Sequence, residues 1–196
     1  MARTERHAIT DRSGLRRVLS LVRCIALHMA TDGRDAAEVA WHLTGRIGAI
    51  GRAALVPAGC GVDLESLVRD ELRDCAADRE REDIEGPPIR LNTRSAQLVS
   101  LAVHELATNA IKFGALCQAQ ARLQVRWRQD EQTLHFEWRE RGVQLPTEAP
   151  RAGFGSALVK RMIAAELRGR GEMVFSDEGL HCHIDVPLSE ALYADD

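Results

Sequence analysis

From Arg122 to Glu140 the chain alternates apolar and polar side chains twice over, with one break. Leu123, Val125 and Trp127 alternate with Arg122, Gln124, Arg126 and Arg128, and Leu134, Phe136 and Trp138 alternate with His135, Glu137 and Arg139. A period of two puts each apolar set on one face of a strand and each charged set on the other. Gln129–Gln132 separates the runs as a turn, so the pair reads as two strands with a buried and a solvated face. The apolar face needs a cover, and the neighbouring sequence supplies helices. Thr93 to about Phe113 is a long helix. Ser156–Leu167 is another, with Leu158, Val159, Met162, Ile163 and Ala165 on a broad apolar side and Gly169 and Gly171 to stop it. Asp63 is placed to cap a helix over Leu64–Cys75. Ile84–Leu91 reads as a short strand pair broken by Gly86-Pro87-Pro88. The last stretch, EMVFSDEGLHCHIDVPL, closes as two strands around an Asp177-Glu178-Gly179 turn. The fold class is therefore α+β, with helices over one face of a mainly antiparallel sheet.

Residues 13–56 read as an antiparallel helical hairpin. Leu15, Leu19, Val22, Ala26 and Met29 are spaced 4-3-4-3, and Ala40, Leu43, Ile47, Ile50 and Ala54 are spaced 3-4-3-4. Both match an a/d seam, with turn chemistry at Thr31–Asp35 between them. Two such hairpins complete a four-helix bundle, so a homodimer is expected; the alternative is packing of the hairpin on its own second domain. Pro57, Gly59 and Gly61 mark the boundary, giving a hairpin domain over 1–60 and a second domain over 61–196.

A hydrophobic content of 45% allows a real core, and an aromatic content of 4% leaves Leu, Val, Ile and Ala to fill it. The net charge of −3 argues against a general nucleic-acid binder. No apolar run is long enough to span a bilayer, so no membrane insertion is expected and the location reads as cytoplasmic. Six Arg stand in the first 23 residues, with no apolar h-region or cleavage pattern. Cys24, Cys60, Cys75, Cys117 and Cys182 are odd in number and form no C-x-x-C, which fits reduced thiols.

Three short elements are candidates for chemistry. On the long helix, Asn109 lies ~40° to one side of Glu105 and Lys112 ~20° to the other, a polar column at the rim of an apolar arc formed by Val99, Ala102, Leu106, Ala110 and Phe113. Such a column is either a solvated face or a site. A carboxylate can orient or deprotonate a nucleophile, a carboxamide oxygen suits Mg²⁺, and an ammonium meets phosphate. At the end of the second strand, Glu140 can accept from an exocyclic amine, and Gly142 allows close backbone approach. In GFGSALV, Gly153 and Gly155 lead into a helix, where free N–H groups form an anion site. Each element alone is weak. His181 and His183 share a strand face, but with no carboxylate or thiolate expected beside them they read as surface residues, and His42 and His135 as structural or solvent-facing.

Order and spacing together are specific. A helix with E-x-x-x-N-x-x-K, two strands, W-x-E-x-G and then G-x-G before a helix resembles the histidine-kinase ATPase domain of the Bergerat (GHKL) fold. It resembles the HWE subfamily in particular, through His104, Trp138 and Glu140. The resemblance runs from about Leu15 to Leu188. It implies an α/β sandwich that binds ATP with Mg²⁺. Glu105 would orient or activate the phosphoacceptor, Asn109 hold Mg²⁺ and Lys112 lie near the phosphates. Glu140 would receive the adenine amine with Gly142 beside the ring, and Gly153 and Gly155 form the phosphate-side loop. It assigns no chemical role to His104 or Trp138.

Two departures stand out. Val143 replaces the usual second Gly. In the first helix the family's H-R-x-x-N motif aligns with Ser13, Gly14 and Arg17, so Ser13 occupies the phosphoacceptor position, and His7 and His28 are out of place for it. The resemblance implies a protein histidine kinase of two-component signal transduction, acting with a response regulator or a partner histidine kinase. The alternative is a non-catalytic ATP-binding docking module. A serine kinase of the anti-sigma type shares the fold but lacks the hairpin.

Overall fold

The computed structural model describes residues 18–23, 25–26, 36–57, 60–73, 81–144 and 154–194. Ser13, Gly153, Cys24, Cys75 and the 31–35 turn lie outside them. Helix α1 comprises the helical residues 18–23 and 25–26, followed by α2 (Ala36–Ala54), β1 (Val62–Asp63) and α3 (Leu64–Arg73). Next come β2 (Glu82–Glu85), β3 (Arg90–Leu91), α4 (Thr93–Lys112), β4 (Arg122–Gln129) and β5 (Thr133–Arg141). α5 (Phe154–Ala157) runs through a π-helical turn, Leu158–Met162, into α6 (Ile163–Leu167). β6 (Arg170–Ser176), β7 (Gly179–Pro187) and α7 (Leu188–Ala191) complete the order.

The main sheet has the order β2-β4-β5-β7-β6, with β2 parallel to β4 and the other pairs antiparallel. The expected alternation holds: Leu123, Val125, Trp127, Leu134, Phe136 and Trp138 are buried. Asp130 holds the β4–β5 turn by accepting from the amides of Gln132 and Thr133 at 2.9 and 2.8 Å. The Asp63 cap acts as read, accepting from Ser66 N at 2.8 Å. Asn92, which carried no such expectation, caps α4 by accepting from Ser95 N at 2.9 Å.

The pairing around Gly86-Pro87-Pro88 differs from expectation. β2 and β3 are not partners. β2 joins β4, while β3 pairs antiparallel with β1. The two prolines carry no N–H, and the segment passes over Trp127, whose indole N–H donates to Pro87 O at 2.8 Å.

α4 is buried on more than one side. Ser95, Gln97, Ser100, Glu105 and Thr108 are buried along with its apolar residues. The sheet-side core covers one face, and α2 packs on another. The buried residues of α2 are His42, Arg46, Ala49, Ile50 and Ala53, a stripe offset from the expected seam. Ala40, Ile47 and Ala54 remain exposed. In α1, Leu21 and Ile25 are buried while Leu19 and Ala26 are exposed. Both helices thus bury one stripe within the chain and leave much of the a/d seam facing out. No helix among the described residues is long and apolar enough to cross a membrane.

Candidate functional site

The polar column of α4 faces α2 rather than open water. Arg46 on α2 donates from Nε to Glu105 Oε1 at 2.7 Å and from its terminal nitrogen to Oε2 at 2.8 Å. Both side chains are almost fully buried. A forked guanidinium matched to both carboxylate oxygens is the strong form of this pair. It engages both oxygens, so Arg46 fixes the orientation of the Glu105 carboxylate.

Two turns on along α4, Lys112 Nζ lies 2.9 Å from His42 Nε2 and 3.3 Å from Glu38 Oε1, with the Trp41 ring centroid at 5.4 Å. One turn back, Ser100 Oγ lies 2.6 Å from Glu71 Oε1, and Arg52 forms a two-pronged pair with the same carboxylate. His104 Nδ1 is 3.4 Å from Glu71 Oε2. Burial alone would raise the Glu71 carboxyl. The bonds from His104, Arg52 and Ser100 together hold it below its ordinary value. His104 also lies directly beneath Gly45: a Cβ there would stand 2.6 Å from its Nε2. His104 therefore braces the α2–α3–α4 junction through packing and one carboxylate.

Gly155 meets the other flank of the column. A Cβ at this position would lie 3.1 Å from Glu105 Cβ and 3.7 Å from Asn109 Nδ2. The loop-to-helix junction thus runs against Glu105 and Asn109, residues distant in sequence. Asn109 is half-buried.

Glu140 sits at the end of β5 with its carboxylate buried. Oε1 accepts from the Trp138 indole N–H at 3.0 Å, and Oε2 from Ala115 N, just beyond α4, at 2.7 Å. Burial pushes the Glu140 carboxyl above its ordinary value, against the lowering effect of these two bonds. Residues two apart on a strand share a face, and that gives Trp138 its role: it orients the acid. Gly142 has φ +72°, in the left-handed region, and Val143 is buried behind it.

Sequence reasoning named Glu105, Asn109, Lys112, Glu140, Gly142 and Gly155, and the fold gathers them around the C-terminal half of α4 and its exit. Arg46 and Glu71 carried no expectation, and His42, read as structural or solvent-facing, also meets the column at Lys112. The signal for His42 and Arg46 was the 4-3-4 spacing of His42, Arg46, Ala49 and Ala53, a second stripe on a helix already given an a/d seam. The expectation that His181 and His183 lack a carboxylate on their face is also corrected. Asp185 continues that face two residues on, Glu137 Oε1 lies 2.7 Å from His181 Nε2, and Asp185 Oδ1 lies 2.7 Å from His183 Nε2.

The sequence profile described as "Histidine kinase-like ATPase domain" matches residues 67–174. A blue-light-activated histidine kinase of Rhizobium johnstonii is 34% identical over 175 residues, covering 87% of this chain and 50% of that protein. Blue-light-activated histidine kinase 1 of Erythrobacter litoralis is 33% identical over 168 residues, covering 80% and 46%. The chain thus spans about half the length of the curated relatives it matches. Among solved structures, the Erythrobacter litoralis EL346 blue-light activated histidine kinase superposes with a TM-score of 0.65 at 18% identity, over 89% of this chain and 60% of that one, a likeness of fold.

Proposed function

This chain belongs to the family of histidine kinase-like ATPase domains, and from that premise we propose that it binds Mg-ATP at the exit of α4 and serves phosphoryl transfer to a protein histidine in two-component signalling. The observation that carries this is the meeting of three separate motifs. Gly155 abuts Glu105 and Asn109, and Glu140 is tied to the amide of Ala115. The donor set fits the nucleotide. Gly155 leaves a cradle that a Cβ would fill, Asn109 offers a carboxamide oxygen for Mg²⁺, and buried Glu140 offers an acceptor for an exocyclic amine. The metal, when bound, supplies neutralisation of phosphate charge.

In this reading Trp138 and Ala115 hold Glu140 in place, Gly142 lies beside the base, and Gly153 and Gly155 line the phosphate side. Lys112 approaches the phosphates after exchanging Glu38 and His42, and Glu105 orients or activates the acceptor. The hairpin of residues 1–60 serves as the dimerisation module of a homodimer and 61–196 as the ATP-binding domain, of the HWE subfamily. The outward exposure of Leu19, Trp41 and Ile47 supports pairing through the hairpin. With Ser13 at the acceptor position, the phosphate goes to a histidine on a partner kinase, and a response regulator receives it.

Equilibrium binding of Mg-ATP to wild type and Asn109→Ala tests the site: clear loss in the variant is expected, and equal binding would remove the assignment. Incubation with γ-labelled ATP tests transfer. The Arg46–Glu105 clamp and Ser13 favour a second reading, a non-catalytic module that binds ATP and docks a response regulator or partner kinase. ATP binding without label on the chain or on any candidate partner selects it.

A further inference from the structure

The open face of the sheet carries a cluster that the nucleotide reading leaves unused. β5 pairs with β7 so that His135 stands opposite Asp185, and His183 precedes Asp185 by two residues on the same face. Ligand-type atoms of His135, His183 and Asp185 all lie within 4.8 Å of one another. Asp185 Oδ1 is 2.6 Å from His135 Nδ1 and 2.7 Å from His183 Nε2, and the two rings stack with centroids 6.0 Å apart. The second nitrogen of His135 is engaged as well: its Nε2 lies 2.8 Å from Asp130 Oδ2, and the β4–β5 turn holds the other oxygen of Asp130.

We propose that His135 Nδ1, His183 Nε2 and Asp185 bind a borderline-soft divalent metal ion of the Zn²⁺ class, with Asp130 as a positioning residue. The donor set decides the class. Two imidazoles and a carboxylate suit Zn²⁺, whereas Mg²⁺ and Ca²⁺ favour sites built from oxygen. The Asp130–His135 contact supplies the carboxylate that accepts the second N–H of a metal-bound imidazole, fixing the tautomer that turns Nδ1 toward the site. Binding replaces the two His–Asp hydrogen bonds by metal–ligand bonds: His135 gives up its Nδ1 proton to solvent and keeps Nε2–H on Asp130, and neutral His183 binds through Nε2 with its ring proton on Nδ1. His183 is 40% exposed, which leaves the remaining coordination position to water. Trp138 and Glu140 project from the opposite face of β5, so the site is separate from the proposed nucleotide site.

The test is titration of the untagged full chain with ZnCl₂ against a chromophoric chelator, with Co²⁺ absorbance reporting coordination. One Zn²⁺ per chain is expected, with a rise in the unfolding midpoint. His183→Ala and His183→Gln should both lose the bound ion, and Asp130→Asn should weaken it by about 10–100-fold. Metal-free unfolding midpoints of the variants check that the fold is retained, and His183→Gln keeps a hydrogen-bonding group opposite Asp185. Absence of saturable Zn²⁺ binding by wild type, or equal binding by folded His183→Ala, overturns the proposal. Mg-ATP binding is unchanged in His183→Ala if the nucleotide reading holds, so the two fail separately.

Discussion

Arg46→Ala is the most informative single perturbation, because it removes one half of a buried ion pair and leaves the other half in place. Arg46 and Glu105 have side chains only 5% and 7% exposed and meet through two hydrogen bonds of 2.7 and 2.8 Å. Breaking such a pair from one side strands a buried carboxylate and costs about 3–5 kcal/mol. A domain of this size is stable by about 5–15 kcal/mol, so the loss is a large fraction of the total. In urea, with a slope of about 2 kcal/mol/M, the midpoint should fall by about 1.5–2.5 M at unchanged slope. Removing both charges with Arg46→Met/Glu105→Met should recover most of that loss, since an apolar pair of similar volume carries no stranded charge. A loss below about 1 kcal/mol in Arg46→Ala is the range of a solvated surface pair and would refute the buried clamp. A double variant as unstable as the single one would assign the effect to packing of the Arg46 stem.

Glu71 gives a pH signature. Its folded pKa lies below the ordinary 4.5, so its stabilisation is fully present above about pH 4.5 and is lost as the pH falls through the folded value. Acid unfolding of Glu71→Gln should lack this component, and identical acid-side slopes for variant and wild type would contradict it. Thiol reactivity is a further check. Cys60 and Cys117 are exposed, whereas burial pushes the Cys182 thiol up to about 12. Peptide mapping after alkylation at neutral pH should find Cys60 and Cys117 modified and Cys182 protected until denaturant is added. Modification of Cys182 in the native protein would place β7 differently.

The sequence by itself determined the elements whose signals are local. Period-two alternation set β4 and β5, Asp63 capped α3, and the order of Glu105, Asn109, Lys112, Glu140 and Gly155 marked a candidate site. The tertiary structure alone decided what those residues touch. Helical spacing placed Glu105 at the rim of an apolar arc, but it carries no information about which helix arrives there. α2 brings Arg46, 59 residues away, onto both oxygens of Glu105. The same limit explains β2 and β3, adjacent in sequence yet paired with β4 and β1. It also explains the His135, His183 and Asp185 cluster, assembled across 50 residues by the β5–β7 register. Periodicity fixes the direction a side chain takes from its own element. The partner it meets depends on long-range packing, and in this chain that packing places the carboxylate of the proposed site under an arginine.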